Sequence, residues 1–109
     1  MKTSFQQCSQ LTSVDISNFD TSEVTSISWM FEGCGNLETV TFGNINTSSL
    51  QDMAGLFCNC YKLTSIDLWY FDTSKVTDMN HIFTNCQILE YLNLSNLNAS
   101  KVQNMENFF

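Results

Sequence analysis

Leu63-Thr-Ser-Ile66-Asp-Leu68-Trp-Tyr-Phe71-Asp-Thr-Ser74-Lys-Val76-Thr-Asp-Met79-Asn-His-Ile82-Phe83-Thr-Asn-Cys86 is one copy of a unit that recurs every 26 residues along the chain. Leu11, Leu37, Leu63 and Leu89 share one column of that repeat, followed by Val14, Val40, Ile66 and Leu92, then Ile16, Phe42, Leu68 and Leu94. Phe19, Ile45, Phe71 and Leu97 follow, then Ser22, Ser48, Ser74 and Ser100, and Val24, Leu50, Val76 and Val102. Ile27, Met53, Met79 and Met105 come next, with Met1 one period earlier, and Phe5, Phe31, Phe57, Phe83 and Phe109 make a five-member column before Cys8, Cys34, Cys60 and Cys86. Chance does not place nine columns in one register. Periodicity of this length is the sequence mark of a repeat architecture.

The two halves of the unit have different periods. Leu63, Ile66 and Leu68 with polar residues between them read as a short strand with one buried face. Val76, Met79, Ile82, Phe83 and Cys86 have the spacing of an apolar stripe on a helix of two to three turns. The flanking residues fit that helix: Ser22, Ser48, Ser74 and Ser100 as N-caps, Gln51 and Gln103 completing capping boxes, and Asp52 and Asp78 in the first turn. Gly33, Asn59 and Asn85 stand where a left-handed residue would close it. A strand and a helix this short bury little alone, so copies must stack. The expected fold is an α/β solenoid with a concave parallel β-sheet and short helices on its convex side. It divides as a partial repeat at 1–10, repeats at 11–36, 37–62 and 63–88, and a truncated repeat at 89–109. Residues 1–109 thus read as a single array, cut from a longer solenoid.

Composition agrees and narrows the function. The chain has 109 residues, 4 Lys+Arg against 11 Asp+Glu, a net charge of −7 and no proline. None of the cations is Arg, and such a balance repels phosphate backbones, which argues against nucleic acid as a partner. Ser, Thr and Asn number 36 and supply solubility where charges are scarce. No run approaches the roughly 18 apolar residues of a membrane span, so membrane insertion is not expected. Met1–Gln7 lacks the apolar core of a secretion signal.

The Leu-x-x-Leu-x-Leu pattern is the strand signature of leucine-rich repeats. The longer segment Phe71-Asp-Thr-Ser-Lys-Val-Thr-Asp-Met79, followed by Ile82-Phe83-Thr-Asn-Cys86, closely resembles the 26-residue surface-protein repeat of the BspA-like leucine-rich-repeat group, the type associated with Mycoplasma, Listeria and Lactobacillus lipoproteins. The resemblance covers residues 1 to 109 and makes the expected solenoid leucine-rich-repeat-like. One departure is visible: Phe19, Ile45, Phe71 and Leu97 occupy the place of the usual ladder Asn, with Asn18, Asn44 and Asn96 one residue earlier. The resemblance implies a module at the cell surface or secreted, with its leader outside this chain, used in adhesion or partner binding.

The residues offer little chemistry beyond binding. Four of the five cysteines lie in one column and read as buried small hydrophobes. An inter-rung disulfide would need Cα atoms about 4.4–6.8 Å apart. A zinc site would draw on Cys58, Cys60, His81 and Cys86, but Cys-x-Cys is short for a structural site. His81 shares a column with Trp29 and Gly55 and reads as a solvated helix position. No catalytic constellation and no phosphate loop is present; no enzyme, metal or cofactor is expected.

The outward face of the sheet is the candidate site. Strand alternation puts Ser13, Asp15 and Ser17 there, then Thr39, Thr41 and Gly43, then Ser65, Asp67 and Trp69, then Tyr91, Asn93 and Ser95. Trp69 stands in a column of Ser17, Gly43 and Ser95, and Tyr70 in a column of Asn18, Asn44 and Asn96, so packing does not require them. Aromatic residues are enriched in binding hot spots. The reading is a non-enzymatic module that binds a protein or glycan through Asp15, Thr41, Asp67, Trp69, Tyr70, Tyr91 and Asn93. Its competitor is a spacer or stalk of a larger cell-surface protein. Uncapped repeats at both ends favour end-to-end self-association.

Overall fold

A computed structural model of the chain describes residues 5–109; Met1, placed by spacing in the methionine column, lies outside them. Four strands, β1 (Ser13–Asp15), β2 (Thr39–Thr41), β3 (Ser65–Asp67) and β4 (Tyr91–Asn93), form one parallel sheet in chain order. Each is one rung of a stack measuring 32 × 30 × 23 Å. The register is the sequence repeat: Val14 faces Val40 and Ile66 faces Leu92. These central residues point inward, while the residues on either side face outward.

No helix is present among the described residues. The half of the repeat with helical spacing folds instead as successive tight turns. Within the first rung the N–H groups of Met30, Glu32 and Cys34 donate to the carbonyls of Ile27, Trp29 and Phe31, three residues back. The alternate N–H groups, those of Ile27, Trp29, Phe31 and Gly33, donate across to the carbonyls of Asp52, Ala54, Leu56 and Cys58 at 2.8–3.1 Å. The next rung repeats the pattern from Met53, Gly55, Phe57 and Asn59. Trp29 (φ 58°), Gly55 (φ 63°), His81 (φ 56°) and Asn107 (φ 51°) are left-handed, as are Gly33 (75°), Asn59 (62°) and Asn85 (63°). Positive φ at the third residue is what type II turns demand. The left-handed column expected at Gly33, Asn59 and Asn85 is therefore there, but it closes turns.

Spacing explains why turns win. The rings of Phe5, Phe31, Phe57 and Phe83 stack nearly parallel, with centroids 5.5, 5.7 and 5.8 Å apart. An α-helix with its side chains is about 10–12 Å across and does not fit that pitch. Turns do, and they free every second N–H to bond the neighbouring rung. Both flanks are then tied rung to rung, and the wedge of bulky helices that would make the sheet concave has no counterpart.

The expected caps take other roles. Ser74 donates both N–H (3.0 Å) and hydroxyl (2.6 Å) to Asp72 Oδ1, and Ser22 and Ser48 do the same to Asp20 and Asn46. The Ser100 N–H bonds Asn98 Oδ1 at 3.0 Å. These are Asx turns. Asp52 and Asp78 accept from the N–H groups of Ala54 and Asn80 in the same way. Gln51 sends its backbone N–H to the Thr25 carbonyl of the preceding rung, and Gln103 sends its own to Thr77.

The interior holds one layer of each apolar column, with Met30, Phe31, Leu37, Met53, Phe57, Leu63, Val76 and Met79 buried. Thr21, Thr47 and Thr73 are buried too, one polar residue per rung in a column of their own. Thr73 Oγ1 donates to the Asn98 carbonyl (3.1 Å) and accepts the Asn98 N–H (2.8 Å); Thr47 Oγ1 accepts the Asp72 N–H (2.8 Å). This threonine ladder satisfies the turn backbone inside the core.

Two column assignments change. Phe19 is half-exposed, whereas its counterpart Phe71 is buried. His81 is a partly buried turn residue; Nδ1 lies 2.8 Å from Asn80 Oδ1 and Nε2 lies 3.1 Å from Asn107 Nδ2. Its ring is 6.1 Å from that of Trp29, two rungs away. Between them Gly55 leaves the space: a Cβ there would sit 2.0 Å from Trp29 Cε3.

Candidate functional site

The sheet presents its outward residues in columns. Asp15, Thr41, Asp67 and Asn93 occupy the last position of each strand, with Asp15 opposite Thr41 and Asp67 opposite Asn93. Tyr91 lies at the first position, opposite Ser65. Trp69 and Tyr70 follow directly on β3. All three aromatics are exposed, Trp69 at 45%, Tyr91 at 54% and Tyr70 at 62%.

Three of the seven sequence-predicted residues line one cleft. Thr41, Asp67 and Tyr70 border it together with Val40, Phe42 and Gly43. Gly43 is left-handed (φ 60°), and a Cβ would approach Ser17 Cβ to 2.7 Å, so this side of the cleft stays low. Tyr70 also borders a second cleft, toward the fourth rung, with Asp72, Asn96 and Asn98 among its walls. Asp15, Asn93 and Tyr91 belong to the same face but line neither cleft, and Trp69 borders neither.

The acidic and amide residues of the column are already engaged on one oxygen. Asp15 Oδ1 accepts the hydroxyl (2.6 Å) and N–H (2.9 Å) of Ser17. Asp67 Oδ1 accepts the Trp69 N–H (2.9 Å), and Asn93 Oδ1 accepts the hydroxyl (2.6 Å) and N–H (3.1 Å) of Ser95. The Ser17 hydroxyl, then its N–H, hold the Asp15 carboxyl below its ordinary value of 3.8, and Ser22 and Ser74 do the same for Asp20 and Asp72. These carboxylates stay charged and shape the turns; acid–base chemistry would need a carboxyl poised to hold a proton. Asp72 and Asn98 lie outside the seven expected residues, and their signal is the recurring Asp/Asn-x-Ser of the Asx turns.

The thiols form a separate, internal feature. Cys34, Cys60 and Cys86 each donate Sγ–H to the carbonyl of the phenylalanine one rung back, Phe5 (2.9 Å), Phe31 (3.2 Å) and Phe57 (3.2 Å). Burial pushes the Cys86 thiol up to about 12 and raises Cys34, Cys58 and Cys60 as well. All five cysteines are free. A thiol held protonated is neither nucleophile nor ready metal ligand. Among the described residues no three His, Cys, Asp or Glu side chains gather closely enough to hold a metal ion. Among the same residues, no helix is long and apolar enough to cross a membrane.

Stacked parallel rungs, a threonine ladder and a register of one repeat define a solenoid-like repeat protein. Its sequence narrows the class further. The chain matches, over residues 1–109, the family described as "Mycoplasma protein of unknown function, DUF285", and it belongs to that family. No curated protein and no solved structure matches it significantly.

Proposed function

We propose that this chain is a non-enzymatic, surface-displayed repeat module of the BspA-like type, cell-surface or secreted, which binds a protein or glycan through the outward face of its sheet. The observation that carries the reading is the exposure of Trp69, Tyr70 and Tyr91 on the third and fourth rungs. The equivalent positions in the other rungs hold Ser, Thr, Gly and Asn, which serve the same backbone without them. Exposed aromatics surrounded by hydroxyls and carboxylates offer contact area that the core does not use. The family's Mycoplasma membership and the repeat stack support the surface reading.

Trp69→Ala and Tyr91→Ala should each weaken binding across a panel of host glycans and matrix proteins while leaving the thermal melt unchanged. If both variants bind as the parent does, the sheet face is not the site. End-to-end association of copies is part of the same proposal. Its candidate surface is the fourth rung, where Leu89, Leu92 and Phe109 line an open cleft with Phe83 and Cys86. Light scattering that shows a clean monomer at high concentration would remove it.

A further inference from the structure

The sheet is not evenly closed. β1 and β2 pair at three positions, and so do β3 and β4, but β2 and β3 pair only at Thr39 and Ser65. Just beyond the strands the Ile16 N–H donates to the Thr41 carbonyl (3.0 Å) and the Leu68 N–H to the Asn93 carbonyl (3.1 Å). The equivalent bond from the Phe42 N–H to the Asp67 carbonyl is not formed. The cleft bordered by Val40, Thr41, Phe42, Gly43, Asp67 and Tyr70 lies along this open seam.

One core column changes beneath this seam. Phe42 stands in a column otherwise filled by Ile16, Leu68 and Leu94. Its ring meets Phe71 edge-on at 4.9 Å and Phe57 edge-on at 6.2 Å. That extra volume sits beneath the seam, between the second and third rungs. One face of the molecule thus carries a backbone donor and a backbone acceptor left apart, beside an exposed tyrosine.

We propose that this seam binds the edge of a neutral sugar ring, with the ring against Tyr70 and one hydroxyl bridging the Phe42 N–H and the Asp67 carbonyl. The inference rests on the outward face being a binding surface. A hydroxyl accepts and donates at once, so it serves both unpaired groups where an ammonium or a carboxylate serves one. Charge selects against acidic sugars, because Asp15 and Asp67 stand in the column and no lysine or arginine lies on the β-strands or the outward residues that follow them. The aromatic patch is compact: two rungs at about 4.8 Å and some five residues at about 3.3 Å give on the order of 160 Å².

The test is isothermal titration of the chain with neutral gluco-, galacto- and manno-configured tetrasaccharides, their uronate counterparts and an oligolysine peptide. At least one neutral tetrasaccharide should bind, and the uronates should not. Tyr70→Ala should weaken that binding at least tenfold, and Tyr70→Phe should retain most of it. Phe42→Leu changes little of the cleft wall, since Phe42 is 4% exposed, but lets the seam close as at Leu68, and should also weaken binding at least fivefold with the fold intact by circular dichroism. Binding of oligolysine alone, or of no neutral tetrasaccharide, overturns the sugar assignment. If Trp69→Ala and Tyr91→Ala still weaken capture of a matrix protein in that case, the binding face stands and only the seam fails.

Discussion

The third and fourth rungs carry the same columns and differ in what covers them. In the third, Leu63, Ile66, Leu68, Phe71, Val76 and Met79 are all buried. Their counterparts in the fourth, Leu89, Leu92, Leu94, Leu97 and Val102, are only partly buried, and Met105 is 42% exposed. The residue types are alike, so hydrophobicity does not explain the contrast. A rung is one side chain thick, and the third rung has a neighbour on both sides where the fourth has one. The stability of such a stack belongs to the interfaces between rungs.

The phenylalanine column tests this most severely. Phe57, stacked between Phe31 and Phe83, should lose about 3–5 kcal/mol on Phe57→Ala, the cost of an uncollapsed core cavity. Phe109 occupies the same column but is 71% exposed, and Phe109→Ala should cost under about 1 kcal/mol in urea unfolding. Equal losses would show that the column, not the covering, sets stability.

The threonine ladder sharpens the same contrast at smaller cost. Thr73→Val leaves the N–H and carbonyl of Asn98 without their partner inside the core and should destabilise by about 1–3 kcal/mol. The fourth rung already carries Ala99 in that column. Ala99→Thr should change stability by less than about 0.5 kcal/mol.

The thiol column extends the comparison to pH. Buried thiols raised above their ordinary value of 9.0, with Cys86 at about 12, stay protonated when the unfolded chain would ionise. Their contribution is whole below pH 9 and is lost as pH rises from there toward the folded value. Urea midpoints should fall between pH 9 and 12, and Cys86→Ala should flatten that fall. Labelling with a thiol reagent at neutral pH should modify exposed Cys8 first, with Cys34 and Cys60 reacting only on unfolding.

The smallest effect lies in the Asx turns. Asp72 is depressed below 3.8 by the Ser74 hydroxyl and N–H, so its contribution is present above that value and lost as pH falls through the lower folded one. Asn46 and Asn98 hold the same turn without charge. Asp72→Asn should therefore leave the neutral-pH melt within about 1 °C and reduce the acid-side loss of stability.

Much of this was legible in the chain. Strand register, inward columns and the outward aromatics follow from spacing alone, because a 26-residue period admits one alignment. The described residues hold no helix, although Ser74, Asp78 and Asn85 each stand where a helix wants them. Serine two residues after Asp or Asn serves an Asx turn as readily as an N-cap, and three-residue apolar spacing serves successive turns as readily as a helix. Asp20, Asp72 and the buried Thr21, Thr47 and Thr73 recur in register and carried the contrary signal.

By itself the sequence determined that identical units stack, which side chains share each layer, and that two rungs present aromatics that the stack does not need. Tertiary structure decided how the backbone of each unit is satisfied. Rungs whose phenylalanines stack at 5.5–5.8 Å bring N–H and carbonyl groups 25 residues apart within bonding reach. Those bonds replace the ones a helix would make within itself. The seam between β2 and β3 belongs to the same level: the Phe42 ring packs edge-on against Phe71 inside the core, where the two strands pair at one position only.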